Sequence, residues 1–193
     1  MALPREFVGY LAAEVALRLE KSGKVKTHDQ ALVAGKIQQA FLNDSAQEDK
    51  LNQEVRDYLE KYNEQIRRDG ISYHEMHQLV KKELMKKYRM VPATGRDKTG
   101  GKLSRDKLIE LSHSIIKELA AAPGLLELLT EKNEVRLEIF QELQALLKEE
   151  AAIDHAARHK IESQKRDITE GSGEWDILFR KYYAEELRKL GVS

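Results

Sequence analysis

The stretch Val8-Gly-Tyr-Leu11-Ala-Ala-Glu-Val15-Ala-Leu-Arg-Leu19 carries apolar residues at steps of three, four and four. That spacing lays them along one face of an α-helix. Leu108, Leu111, Ile115 and Leu119 repeat the pattern one hundred residues later, and Leu3 and Arg5 likewise meet Leu103 and Arg105. After a two-residue slip, Val33, Ile37, Arg56, Leu59 and Ile66 meet Val135, Ile139, Arg158, Ile161 and Ile168, and Tyr73 meets Trp175. Single apolar matches arise in any two helices. An ordered series interrupted by turns at matching places predicts two similar helical halves.

Start and stop signals divide each half. Gly23 ends the first helix. Thr27-His-Asp-Gln30 reads as a capping box opening a second helix with Val33, Ile37 and Phe41 inward. Ser45-Ala-Gln-Glu48 reads as another, opening a third with Leu51, Val55, Leu59, Tyr62 and Ile66, which Gly70 stops. Ser72 as N-cap, Glu75 three residues on, and an Ile71–Met76 staple start a fourth, running to about Arg89. Residues 90–102 hold three Gly, one Pro and no apolar period, which marks a linker. Beyond it, Ser104, Asn133 and Asp154 are candidate N-caps, Pro123-Gly124 is a break, and a Gly-Ser-Gly turn at 171–173 precedes the last helix. The expectation is an all-α protein of two small bundles of about four helices each: residues 1–89, a linker at 90–102, and residues 103–193.

Composition narrows the function. Thirty-three basic residues balance 33 acidic ones, so no global field draws the chain to nucleic acid or an anionic membrane. The absence of cysteine excludes disulfides, thiolate metal sites and cysteine nucleophiles. The start Met1-Ala-Leu-Pro-Arg-Glu-Phe7 lacks the basic and apolar regions of a signal peptide, and no run is long enough to span a bilayer. A cytoplasmic protein with no membrane partner is expected.

The most distinctive stretch is Glu170-Gly-Ser-Gly-Glu-Trp175-Asp-Ile-Leu-Phe-Arg180-Lys-Tyr-Tyr183, preceded by Ile161-Glu-Ser-Gln-Lys-Arg166 and followed by residues to Gly191. Together with Asn133-Glu-Val-Arg-Leu-Glu-Ile139, it resembles the bacterial family catalogued as domain of unknown function 507. The resemblance covers residues 103–191 and reaches the first half only through the repeat. It implies a helical bacterial protein and carries over no activity or cofactor. Tyr73-His-Glu75 stands where Trp175-Asp-Ile177 stands, so a function of the signature belongs to the second half.

Trp175, Phe179, Arg180, Tyr182 and Tyr183 are the candidate partner-binding residues, for another protein or a second copy of the chain. The plainer reading of the same face is a helix docked on its own half, since aromatic faces at helical spacing are usually core. Residues 81–107 hold ten basic residues against three acidic ones. Lys81, Lys82, Lys86, Lys87, Arg89, Arg96, Lys98 and Lys102 form the alternative site, for nucleic acid or another anion, against the plainer reading of a solvated helix end and linker. Arg166-Asp167 and Asp176…Arg180 suggest internal ion pairs.

His155 and His159 share a helix face, as do His74 and His77. Ala156 replaces the Glu of a zinc-protease helix and no third ligand is evident, so no metal site is expected. Gly95 to Leu103 departs from the phosphate loop, because Gly101 intervenes between Gly100 and Lys102 and Leu103 follows the lysine. No nucleophile–base spacing appears, so no catalytic residue is assigned, and no cofactor is implied. The sequence favours a non-enzymatic interaction or scaffold protein, with nucleic-acid binding as the alternative and a helical enzyme or metal protein as a second alternative.

Overall fold

The computed structural model describes residues 3–93 and 102–191, apart from 69, 71, 123, 165 and 167. The protein is all-α with one small two-stranded sheet. Its elements are α1 (Arg5–Lys21), β1 (Val25–Thr27), α2 (Gln30–Lys61), α3 (Asn63–Arg68), α4 (Tyr73–Tyr88), α5 (Arg105–Ala120), β2 (Leu126–Leu128), α6 (Lys132–Glu162) and α7 (Gly173–Lys189).

The inward stripes are those the spacing predicts, except at Tyr62, which follows the end of α2 and is 45% exposed. Leu11, Val15 and Leu19 of α1 and Leu111, Ile115 and Leu119 of α5 are at most 1% exposed. Fully burying one such side chain stabilises by about 1.5–3 kcal/mol, so each stripe far outweighs any single cap. Two predicted breaks fail: α2 runs through Ser45, and Asp154 lies inside α6. At Asp154 the stripe continues, through Ile153 and Ala157. At Ser45 it does not: no buried apolar residue lies between Phe41 and Leu51, and α2 crosses from the main core to the small satellite there. Two further caps move: Asp29, not Thr27, accepts from the Leu32 amide at the start of α2, and α6 starts at Lys132 after Glu131, not at Asn133. Thr27 lies in β1. Ser104 and Ser172 cap α5 and α7, accepting from the Lys107 and Trp175 amides. Ser72 is the N-cap residue of α4 without a side-chain bond, and Ile71 of the expected staple lies outside the described residues.

The two halves do not close into separate bundles. One core gathers Phe7 to Phe41 of the first half with Leu108 to Leu187 of the second. The helices interlock: α1 packs on both α2 and α6, while α5 packs on both α6 and α2. The strands seal the crossing. β1 and β2 pair antiparallel with Lys26 opposite Glu127, and the pairing reads alike from either strand. His28 donates to the Leu125 carbonyl on one side of it, and Leu129 donates to the Lys24 carbonyl on the other. An inward stripe fixes which face of a helix is buried but not which helix covers it, so the partner across the chain was not legible.

The terminal helices α4 and α7 lie outside this crossing, α4 on α2 and α7 on α6. Burial makes them unequal. Tyr183 and Leu187 of α7 join the main core, whereas no residue of α4 is buried. Met76, Val80 and Leu84 of α4 rest instead on a small satellite of Val55, Leu59 and Ile66.

Candidate functional site

The last helix lies across the far part of α6, and the first turn of α1 meets it there. Between them is a cavity of about 810 Å³. Trp175, Phe179 and Tyr183 line it from α7, Arg158 from α6, Glu170 and Gly171 from the connecting turn, and Pro4, Arg5 and Glu6 from the start of α1. Ser172 caps α7 and Gly171 takes a left-handed φ of 83°, which turns the chain sharply into that helix.

An aromatic shelf forms one wall. Trp175 and Phe179 stack with ring centres 4.9 Å apart and planes 7° from parallel. The Arg158 guanidinium lies 5.2 Å from the Trp175 ring and 5.4 Å from Phe179, within cation–π reach of both. Arg158 is itself held by Asp154, at 2.6 Å, and by Glu170. Those two hydrogen bonds push its pKa further up against the opposing effect of burial, so it is a fixed cation.

Beneath the shelf is a buried polar cluster. Glu150 is 0% exposed. Its Oε1 accepts from Lys102 Nζ at 2.5 Å and from the Tyr183 hydroxyl at 3.0 Å, while its Oε2 has no hydrogen-bond partner among the described residues. Lys102 also reaches Asp154 at 2.9 Å. Burial first, then the Glu150 carboxylate, pushes the Tyr183 hydroxyl pKa up, so it stays a donor. Burial raises the Asp154 carboxyl, but the bonds from Lys102 and Arg158 more than offset this and hold it below the usual range. The cluster ties three parts of the chain together: the end of the 90–102 segment, α6 and α7.

Of the predicted partner-binding residues, Trp175, Phe179, Arg180 and Tyr183 line the cavity. Tyr183 is also core, as the plainer reading of that helix holds. Tyr182 points elsewhere, accepting from Gln164 at 2.7 Å and lying between Lys160 and Lys181. Arg180 and Asp176 make no ion pair among the described residues. Arg166 pairs with Glu174, at 3.1 Å, and Asp167 is not described. The contributions of Pro4, Arg5, Glu6 and Glu150 were not found in the sequence. They come from distant helices, and only the crossing topology brings them here.

The basic segment is less charged in space than along the chain. Lys102 is spent on Glu150 and Asp154, and Lys107, 4% exposed, on Asp44 and Glu110. Lys81 pairs with Glu48 at 3.6 Å and Lys86 with Glu83 at 2.7 Å. Most of these acids lie outside residues 81–107. Lys82, Lys86, Lys87 and Arg89 remain exposed at the end of α4, and Arg96 and Lys98 lie outside the described residues. His155, His159 and His74 are exposed and His77 is half-buried. Among the described residues, no three of His, Cys, Asp and Glu gather closely enough to hold a metal ion. No described helix is long and apolar enough to cross a membrane.

The chain belongs to the family described as "Protein of unknown function (DUF507)", whose model matches residues 1–192. The match includes the first half directly, so the family extends well beyond the signature and its neighbourhood. No curated protein matches the chain.

Proposed function

We propose that this protein is a non-enzymatic interaction module of the bacterial cytoplasm, which engages a partner protein through the cavity between α7 and the start of α1. The observation that carries the reading is the convergence of Arg158, Glu170, Trp175, Phe179, Arg180 and Tyr183 on one open cavity. Most of an aromatic helix is normally spent on its own core. Here Tyr183 and Leu187 are buried in the core and Phe179 packs partly against it, which leaves Trp175 half-buried on the stacked face of Phe179. Aromatic and arginine side chains held in this way are the residue types that dominate binding energy at protein interfaces. The buried Lys102–Glu150–Tyr183 contacts fix the shelf before any partner arrives, which lowers the ordering cost of binding.

Affinity capture with the full chain tests this, run beside a Trp175→Ala/Arg180→Glu variant shown to keep the wild-type circular dichroism and melting temperature. A protein recovered by the wild type and lost with the variant supports the reading. Equal recovery by both removes it.

A further inference from the structure

The two outer helices stand in related places. A step of 102 residues carries Glu48 to Glu150, Lys81 to Tyr183 and Met85 to Leu187. Along that step the contacts correspond as well: Lys81 meets Glu48 where Tyr183 meets Glu150. The cavity beside α7 therefore has a counterpart beside α4, a groove of about 920 Å³. Phe179, Arg180 and Ala184 of the first are replaced by His77, Gln78 and Lys82 in the second.

The second groove has its own wall. Met90, Pro92 and Ala93 line it, and the turn is pinned to the start of α5: the Ser104 amide donates to the Ala93 carbonyl at 2.7 Å and its hydroxyl to the Pro92 carbonyl at 2.9 Å. Its lining is net basic. Lys81 pairs with Glu48 and Lys86 with Glu83, while Lys82 and Arg89 line it with their side chains exposed. Its apolar lining is Leu79, Met85 and Met90, two of them the flexible side chain of methionine. Leu79 is 56% exposed.

We propose that this groove binds an acidic segment of a partner protein whose carboxylates alternate with apolar side chains. The unbalanced cations select the acid, and the methionine-rich apolar lining, which repacks readily, takes the apolar residues. Single-stranded nucleic acid fits the cations but not the apolar lining. Binding without sequence preference relies on aromatic rings for the bases to stack on, and His77 is the one aromatic ring among the described lining residues. The groove and the α7 cavity share no lining residue, so the inference stands apart from the reading of that cavity.

Fluorescence anisotropy on the full chain decides it, with three labelled probes: a 16-residue Glu/Leu peptide, poly-Glu of the same length, and an oligo-dT. The Glu/Leu peptide should bind at least tenfold tighter than poly-Glu at about 150 mM salt, where surface charge is screened beyond about 8 Å. Lys82→Gln/Arg89→Gln, which alters two exposed side chains, should weaken it at least tenfold. Equal binding of poly-Glu would show that the apolar lining is not used and overturn the proposal. So would tighter binding of oligo-dT that the Glu/Leu peptide cannot displace, peptide binding unchanged in the double variant, or no binding at all.

Discussion

Replacing Lys102 with Met tests whether the buried cluster holds the signature helix in place. Glu150 is 0% exposed and Lys102 is the only cation on it among the described residues, at 2.5 Å. The methionine keeps most of the aliphatic stem and removes the charge. Breaking a buried pair by deleting one partner costs about 3–5 kcal/mol, because the surviving charge is left uncompensated. Lys102 is 19% exposed, so water reaches part of the site and the lower end, about 3 kcal/mol, applies. Glu150→Gln should cost less, about 1–2 kcal/mol. Its amide oxygen still accepts from Tyr183, and Lys102 keeps Asp154. The double variant leaves no buried charge at position 150 and should cost little more than Glu150→Gln alone, giving a coupling of about 2–3 kcal/mol. Urea unfolding at pH 7, followed by far-ultraviolet circular dichroism, measures all three. Fluorescence of Trp175, the only tryptophan, reports α7 itself. At about 2–4 °C per kcal/mol, Lys102→Met should lower Tm by roughly 6–12 °C. A loss below about 1 kcal/mol, or a double variant equal to the sum of the singles, would refute the role given to the pair.

Three smaller predictions follow from the fold. Ser104→Ala should cost about 1–2 kcal/mol, because Ser104 caps α5 and also bonds the Pro92 carbonyl, whereas Ser45→Ala, inside α2, should be neutral within about 0.5 kcal/mol; denaturant midpoints compare them. Gly35→Ala should stabilise by about 0.5–1 kcal/mol, since the position is exposed within α2 and an added Cβ meets nothing within 4 Å; an unchanged or lower Tm would contradict it. Asp154 has a folded pKa below its unfolded value of about 3.9, so its contribution is present above about pH 4 and is lost as pH falls through the folded pKa. Asp154→Asn should therefore lower stability at pH 7 and flatten the stability–pH curve below pH 4, read from urea midpoints across that range.

What the sequence made legible divides along physical lines. Apolar period is local, and burial rewards it several times over along a helix, so the stripes of α1 and α5 stood out and fell where expected. Caps are local too, but each is worth only about 1 kcal/mol and yields where a stripe runs on, as at Asp154. Asp154 shows the second reason. Its carboxylate is spent on Lys102 and Arg158, partners that no capping pattern reveals. Charge is the least local quantity. Lys102 and Lys107 add to a basic run along the chain, yet both are neutralised by acids from α2, α5 or α6. A charge count over a window measures a field only when the fold brings no opposite charge to it. By that criterion the basic character predicted for residues 81–107 shrinks to the end of α4, where Lys82, Lys87 and Arg89 are exposed and make no salt bridge among the described residues. The signature helix passes the same criterion from the other side. Arg180 makes no ion pair among the described residues and lines the cavity beside Trp175, while Tyr183 of the same candidate set is consumed by the core.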